Sequence, residues 1–135
     1  MLIEVRTKVT RKVNNKIRKT METYLIDKEF FAEAEYAVTD YLTNKDVTEK
    51  IEIQSLKQSI IKEIADQYEG KYSFIATLKD SWEEDDGTVK YMRYNVLLWA
   101  DNLTQANQRV QALSKEGYDM LIEGIKQVDY IYLGK

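Results

Sequence analysis

Along residues 3–13 the apolar positions Val5, Val9 and Val13 share one parity, with Thr7 and Arg11 between them. That is the period-two pattern of a strand with one moderately apolar face. Residues 16–26 repeat it, with Ile17, Met21 and Leu25 on the odd positions, and predict a second strand. If the two apolar sets lie opposite each other, Val13 faces Ile17, Val9 faces Met21 and Val5 faces Leu25. That register requires a three-residue loop at Asn14-Asn15-Lys16, where asparagine tolerates the left-handed backbone. A two-residue turn would send the two sets to opposite faces. The expected loop leaves Arg6, Lys8 and Lys12 on the outer face, against Tyr24, Glu22 and Arg18.

The stretch that follows is written twice. Shifted by 72 positions, Phe31, Ala34, Val38 and Tyr41 fall on Leu103, Ala106, Val110 and Leu113. Each set has the i, i+3, i+7, i+10 spacing of one helix face. The first helix is predicted to start near Asp27 or Glu29 and run to about Leu42; the second runs from about Asn102 to Lys115, capped by Asp101 or Asn102 and stopped by Gly117. A strand is expected over about 50–57. Residues 56–65 fit either a continued strand or a short helix, because Leu56, Ile60, Ile61 and Ile64 satisfy both periods. Tyr72, Phe74, Ala76, Leu78 and Trp82 mark a fourth strand, and Met92, Tyr94, Val96 and Leu98 a fifth. A last strand is best defined from Ile125 to Leu133. The expected fold is therefore α+β, a tandem ββαβ repeat with mostly antiparallel sheet and two helices packed on one face. It forms one domain of two repeats, about 1–66 and 67–135, arranged either as one sheet shared by both, which is favoured, or as two sheets packed through their helices.

Composition narrows the chemistry. The 135 residues contain neither cysteine nor histidine, which excludes disulfides, thiolate metal sites and Ser-His or Cys-His nucleophile pairs. No apolar run approaches the ~20 residues needed to span a bilayer, and no signal peptide is evident, so a soluble, unexported protein with no membrane partner is expected. Arg6, Lys8, Arg11, Lys12, Lys16, Arg18 and Lys19 stand against the lone acid Glu4 in residues 1–19. That is a local charge of +6 in a chain whose total is −3.

LIDKEFFAEAEYAV (25–38) and LLWADNLTQANQRV (97–110) resemble paired segments of an uncharacterised domain family of gut bacteria and their tailed phages. The resemblance extends through GKYSFIATLKD (70–80) and the acidic EEDDG (83–87). It departs at Phe30, where a small capping residue is expected, and in the long basic hairpin. The family carries no assigned catalytic residues. What the resemblance implies is a phage or prophage product, in the cytoplasm of the bacterial host or in the virion.

Asp80, Glu83, Glu84, Asp85 and Asp86 could hold a divalent cation through hard oxygen ligands, the basis of a carboxylate-and-metal enzyme reading. They lack the Asp-x-Asp-x-Asp-Gly spacing of a calcium loop, and adjacent carboxylates between strands read as a solvated hairpin tip. Neither a metal nor a cofactor is assigned. The favoured reading is a small non-enzymatic protein acting by binding a protein partner or itself. Its interface candidates are Trp82, Trp99 and Tyr94, since ten tyrosines and two tryptophans suit strands at protein contacts. The alternative is single-stranded nucleic acid or another polyanion, held by Arg6, Lys8, Lys12 and Arg18 with Tyr24 as a stacking platform.

Overall fold

The computed structural model describes residues 1–45, 48–115 and 120–135. Ten elements follow in order: β1 (Leu2–Val13), β2 (Lys16–Asp27), α1 (Phe31–Lys45), β3 (Thr48–Gln58), β4 (Ile61–Ala65), β5 (Tyr72–Glu83), β6 (Val89–Ala100), α2 (Leu103–Lys115), β7 (Leu121–Val128) and β8 (Tyr130–Tyr132). The chain is α+β, with its strands in two four-stranded, mostly antiparallel sheets. Residues 56–65, open to two readings in the sequence, are extended on both sides of a break at Ser59 and Ile60.

The expected shared sheet is not formed. One sheet has the order β3-β1-β2-β8 and the other β4-β6-β5-β7. In each, a long antiparallel hairpin is flanked by the strand that follows the helix and, on its other side, by a short parallel strand. That fourth strand always comes from the opposite half of the chain. β4, which directly follows β3, pairs with β6, and β8, which directly follows β7, pairs with β2. Two compact units result: Met1–Ser59 with Asp129–Lys135, and Ile60–Val128.

In the first unit α1 lays Ala34, Val38 and Leu42 on Ile3, Val5, Val9, Tyr24 and Ile26, all buried. In the second, Ala106 and Val110 of α2 meet Phe74, Ala76, Leu78, Val96 and Leu98. The apolar parity read for β5 and β6 holds through this core, since Phe74 faces Leu98, Ala76 faces Val96 and Leu78 faces Tyr94. The helix stripes hold in their middle, but their first members, Phe31 and Leu103, are exposed.

The helix starts differ from each other for a local reason. Asn102 caps α2: its Oδ1 accepts the Gln105 amide at 2.8 Å, and Gln105 Oε1 accepts the Asp101 amide at 2.8 Å. The pair resembles a capping box, with the returning bond taken one residue earlier, at Asp101 rather than at the cap itself. α1 begins at Phe31, later than expected, and its cap position is filled by Phe30, whose carbonyl accepts the Ala34 amide at 3.2 Å. Phe30 offers no side-chain acceptor. Gly117, expected to stop α2, lies outside the described residues.

Candidate functional site

The two hairpins outrun their cores. In β1–β2 the buried positions end at Val9 and Tyr24, and residues 12–21 are all exposed. In β5–β6 they end at Leu78 and Val96, and residues 81–93 lie open apart from half-buried Glu84. Each distal half has a backbone edge that its flanking parallel strand does not reach; the second is two-stranded beyond Lys79, whereas in the first β3 stays paired with β1 as far as Arg11. β8 pairs only with residues 23–25 of β2, and β4 pairs only with residues 95–98 of β6.

The first arm overturns the expected loop. Val13 pairs directly with Lys16, so the turn is the two residues Asn14 and Asn15, at φ 52° and 63°. Both residues are left-handed, as a type I′ turn requires, and that turn matches the twist of the paired strands. The three-residue loop rests on apolar parity, which sets register only where a face is covered. Ile17 and Met21 lie beyond the covered part and are 64 % and 58 % exposed.

The one-residue change redistributes the candidate nucleic-acid residues. Arg6, Lys8 and Lys12 share a face with Lys19, Met21 and Ile17. Arg18 and Tyr24 lie on the other face, where Tyr24 is buried in the core under α1 at 1 % exposure. Tyr24 is therefore no stacking platform. Its hydroxyl donates to Glu22 Oε1 at 2.5 Å, and its ring meets Tyr41 of α1 edge-on at 5.9 Å between centroids.

Glu22 is the centre of a network that the sequence did not reveal. Arg11 donates to both its carboxylate oxygens, at 2.6 and 3.0 Å, and Thr20 adds a bond of 3.1 Å. The Arg11 guanidinium, ahead of the Tyr24 and Thr20 hydroxyls, holds the Glu22 carboxyl down at about 2. Burial, reinforced by Glu22, pushes the Tyr24 phenol up. The shared hydrogen bonds of this cluster tie β1 to β2 at the root of the arm.

The second arm carries the acids. Its tip spans residues 83–88, with Gly87 at φ 86°, a Glu84 amide bond to the Thr88 carbonyl at 2.8 Å, and Asp86 Oδ1 accepting the Thr88 amide at 2.9 Å. Among the described residues no three carboxylates converge as metal ligands would. Trp82 is 42 % exposed on the face it shares with Asp80, Lys90 and Met92, and its indole donates to Glu84 at 3.2 Å. On the reverse face Tyr91 receives Lys79 and Arg93, at 4.3 and 5.1 Å from its ring centre, and Glu123 of β7 pairs with both cations. The other two interface candidates sit deeper. Tyr94 is half-buried beside the core with its hydroxyl 3.3 Å from Glu63, and half-buried Trp99 lends its carbonyl to Arg109 at 2.6 Å. The three candidates do not form one patch.

Residues 2–132, almost the whole chain, match a family described as a domain of unknown function, DUF4494. The chain belongs to the DUF4494 family. No curated protein and no solved structure matches it. In this DUF4494 chain Arg109 is another residue that sequence reading missed. It joins α2 to the Glu69 carbonyl at 2.7 Å as well as to Trp99, and lies 5.1 Å from the Tyr68 ring. No periodicity marks such a residue, because its partners are backbone carbonyls from two other segments.

Proposed function

We propose that this chain is a non-enzymatic component of the phage or prophage type that works by binding protein, either a partner or another copy of itself, through its two hairpin arms. The observation that carries the reading is that both arms hold large apolar side chains in the open among charged groups. Ile17 and Met21 lie among lysines on one arm, and Trp82 and Met92 lie with Asp80 and Lys90 on the other. Aromatic residues and methionine are enriched at protein contacts, and isolated arms of this length gain nothing in the core from such residues. The phage setting rests on the resemblance of residues 25–38 and 97–110, and places of action in the host cytoplasm or the virion follow from it. Affinity capture with the intact chain from infected host cells, alongside light scattering at micromolar concentration, tests the reading. A specific partner or a mass above one chain is expected; a strict monomer that retains nothing contradicts it.

A second reading is contact with nucleic acid or another polyanion through the first arm. It is favoured by cations on both faces of the β1–β2 hairpin, Lys8, Lys12 and Lys19 on one and Lys16 and Arg18 on the other. Such a hairpin can contact phosphates through its cations, whereas the single-strand version has lost its aromatic platform. Salt-sensitive DNA or RNA binding that Lys8→Glu with Lys12→Glu abolishes would support it, and no binding at about 50 mM salt would remove it.

A further inference from the structure

We infer that the two arms are complementary halves of one contact, so that the basic arm of one copy lies against the acidic arm of a second copy, head to tail. This rests on the protein-binding reading above and names the partner. On the first arm Ile17 pairs with Lys12, Lys19 with Thr10 and Met21 with Lys8, which sets two exposed apolar side chains in a frame of three ammonium groups. On the second, Asp80 pairs with Met92 and Trp82 with Lys90, which sets an exposed thioether and an exposed indole beside the acids of the tip.

The charges on the two arms are largely unspent. Arg11 is engaged by Glu22, but none of Lys12, Lys16, Arg18 and Lys19 has an ion pair among the described residues. Glu83 and Asp85 have none either, and the ion pair of Glu84 among the described residues is with Lys90, at 3.7 Å. Exposed ion pairs each contribute little, so the apolar groups supply the hold while the charges choose the partner and the orientation. Because the two surfaces are different, the contact is heterologous: a pair of copies keeps one free basic arm and one free acidic arm, and association continues into a ring or an open row. Pairing of the arms within one chain would leave a monomer, which the experiment below tells apart.

The intact chain and two charge-reversed versions, Lys12→Glu with Lys19→Glu and Glu83→Lys with Asp85→Lys, are followed by sedimentation velocity at about 50 mM and about 500 mM salt, on either side of strong screening. All four positions are exposed, and circular dichroism confirms that the folds are kept. The unaltered chain is expected to associate at low salt and to weaken by about tenfold or more at high salt. Each reversed chain, with the charge of one arm largely cancelled, is expected to be monomeric. Mixing the two is expected to restore a one-to-one complex, because each supplies the unaltered arm that the other lacks. Self-association that survives both reversals overturns the arm pairing but leaves the protein-binding reading standing. A monomer that captures another protein does the same. A monomer that captures nothing overturns both, and a monomer whose basic arm instead binds DNA or RNA gives that arm to nucleic acid and overturns the inference.

Discussion

At the scale of single residues, the least replaceable positions are those where geometry leaves one solution. Glu22 accepts from Arg11, Tyr24 and Thr20, and its carboxyl lies at about 2 against an ordinary value of 4.5. A group depressed in the folded state contributes its full stability above the unfolded value and loses it as pH falls through the folded one. The Glu22 contribution is therefore complete above pH 4.5 and disappears between there and about 2. Glu22→Gln should flatten that part of the stability curve, measured by urea unfolding across the acid range, while a curve of unchanged slope would show that other carboxylates dominate. Gly70 is fixed by space: a Cβ there would stand 2.4 Å from backbone atoms of Ala100. Gly70→Ala should destabilise the second unit by about 1–3 kcal/mol, the usual range for overpacking, as read by the denaturation midpoint. Neither constraint shows in the sequence, since each depends on what the fold brings alongside.

At the scale of elements, legibility follows burial. The α1 and α2 stripes and the β5–β6 parity are readable because those side chains enter a core, where a wrong period would strand apolar groups in water. Parity fails for the β1–β2 register because Ile17 and Met21 look like core residues and are not. The better signal is local, in Asn14-Asn15, two residues that accept positive φ in succession. Asn15→Gly should keep or raise hairpin stability by about a few tenths of a kcal/mol, whereas Asn15→Val should cost about 1–3 kcal/mol for a β-branched residue held left-handed. Thermal unfolding separates these outcomes, and equal effects from both would argue against the two-residue turn.

At the scale of the whole molecule, the unexpected feature is that each sheet borrows its fourth strand from the other half of the chain. β8 supplies only Tyr130–Tyr132 to the pairing, but Leu133 donates to the Leu25 carbonyl at 2.9 Å, and Ile131 and Leu133 pack on the first core. Removing residues 129–135 should open the β2 edge and cost at least ~3 kcal/mol, the order of two apolar side chains returned to water. Amide exchange in β1 and β2 should then quicken before that in β5 and β6. Sequence reading finds the strands but not their partners, because a break as short as Asp129 between β7 and β8 carries no record of which sheet comes next. The central claim, that this DUF4494 chain acts through its arms, is tested most directly by amide hydrogen exchange of the intact chain at low and high protein concentration. Slowed exchange at high concentration confined to residues 10–21 and 80–92 is the predicted result. Unchanged arms, or protection that appears on the helices or along β7 instead, would contradict it.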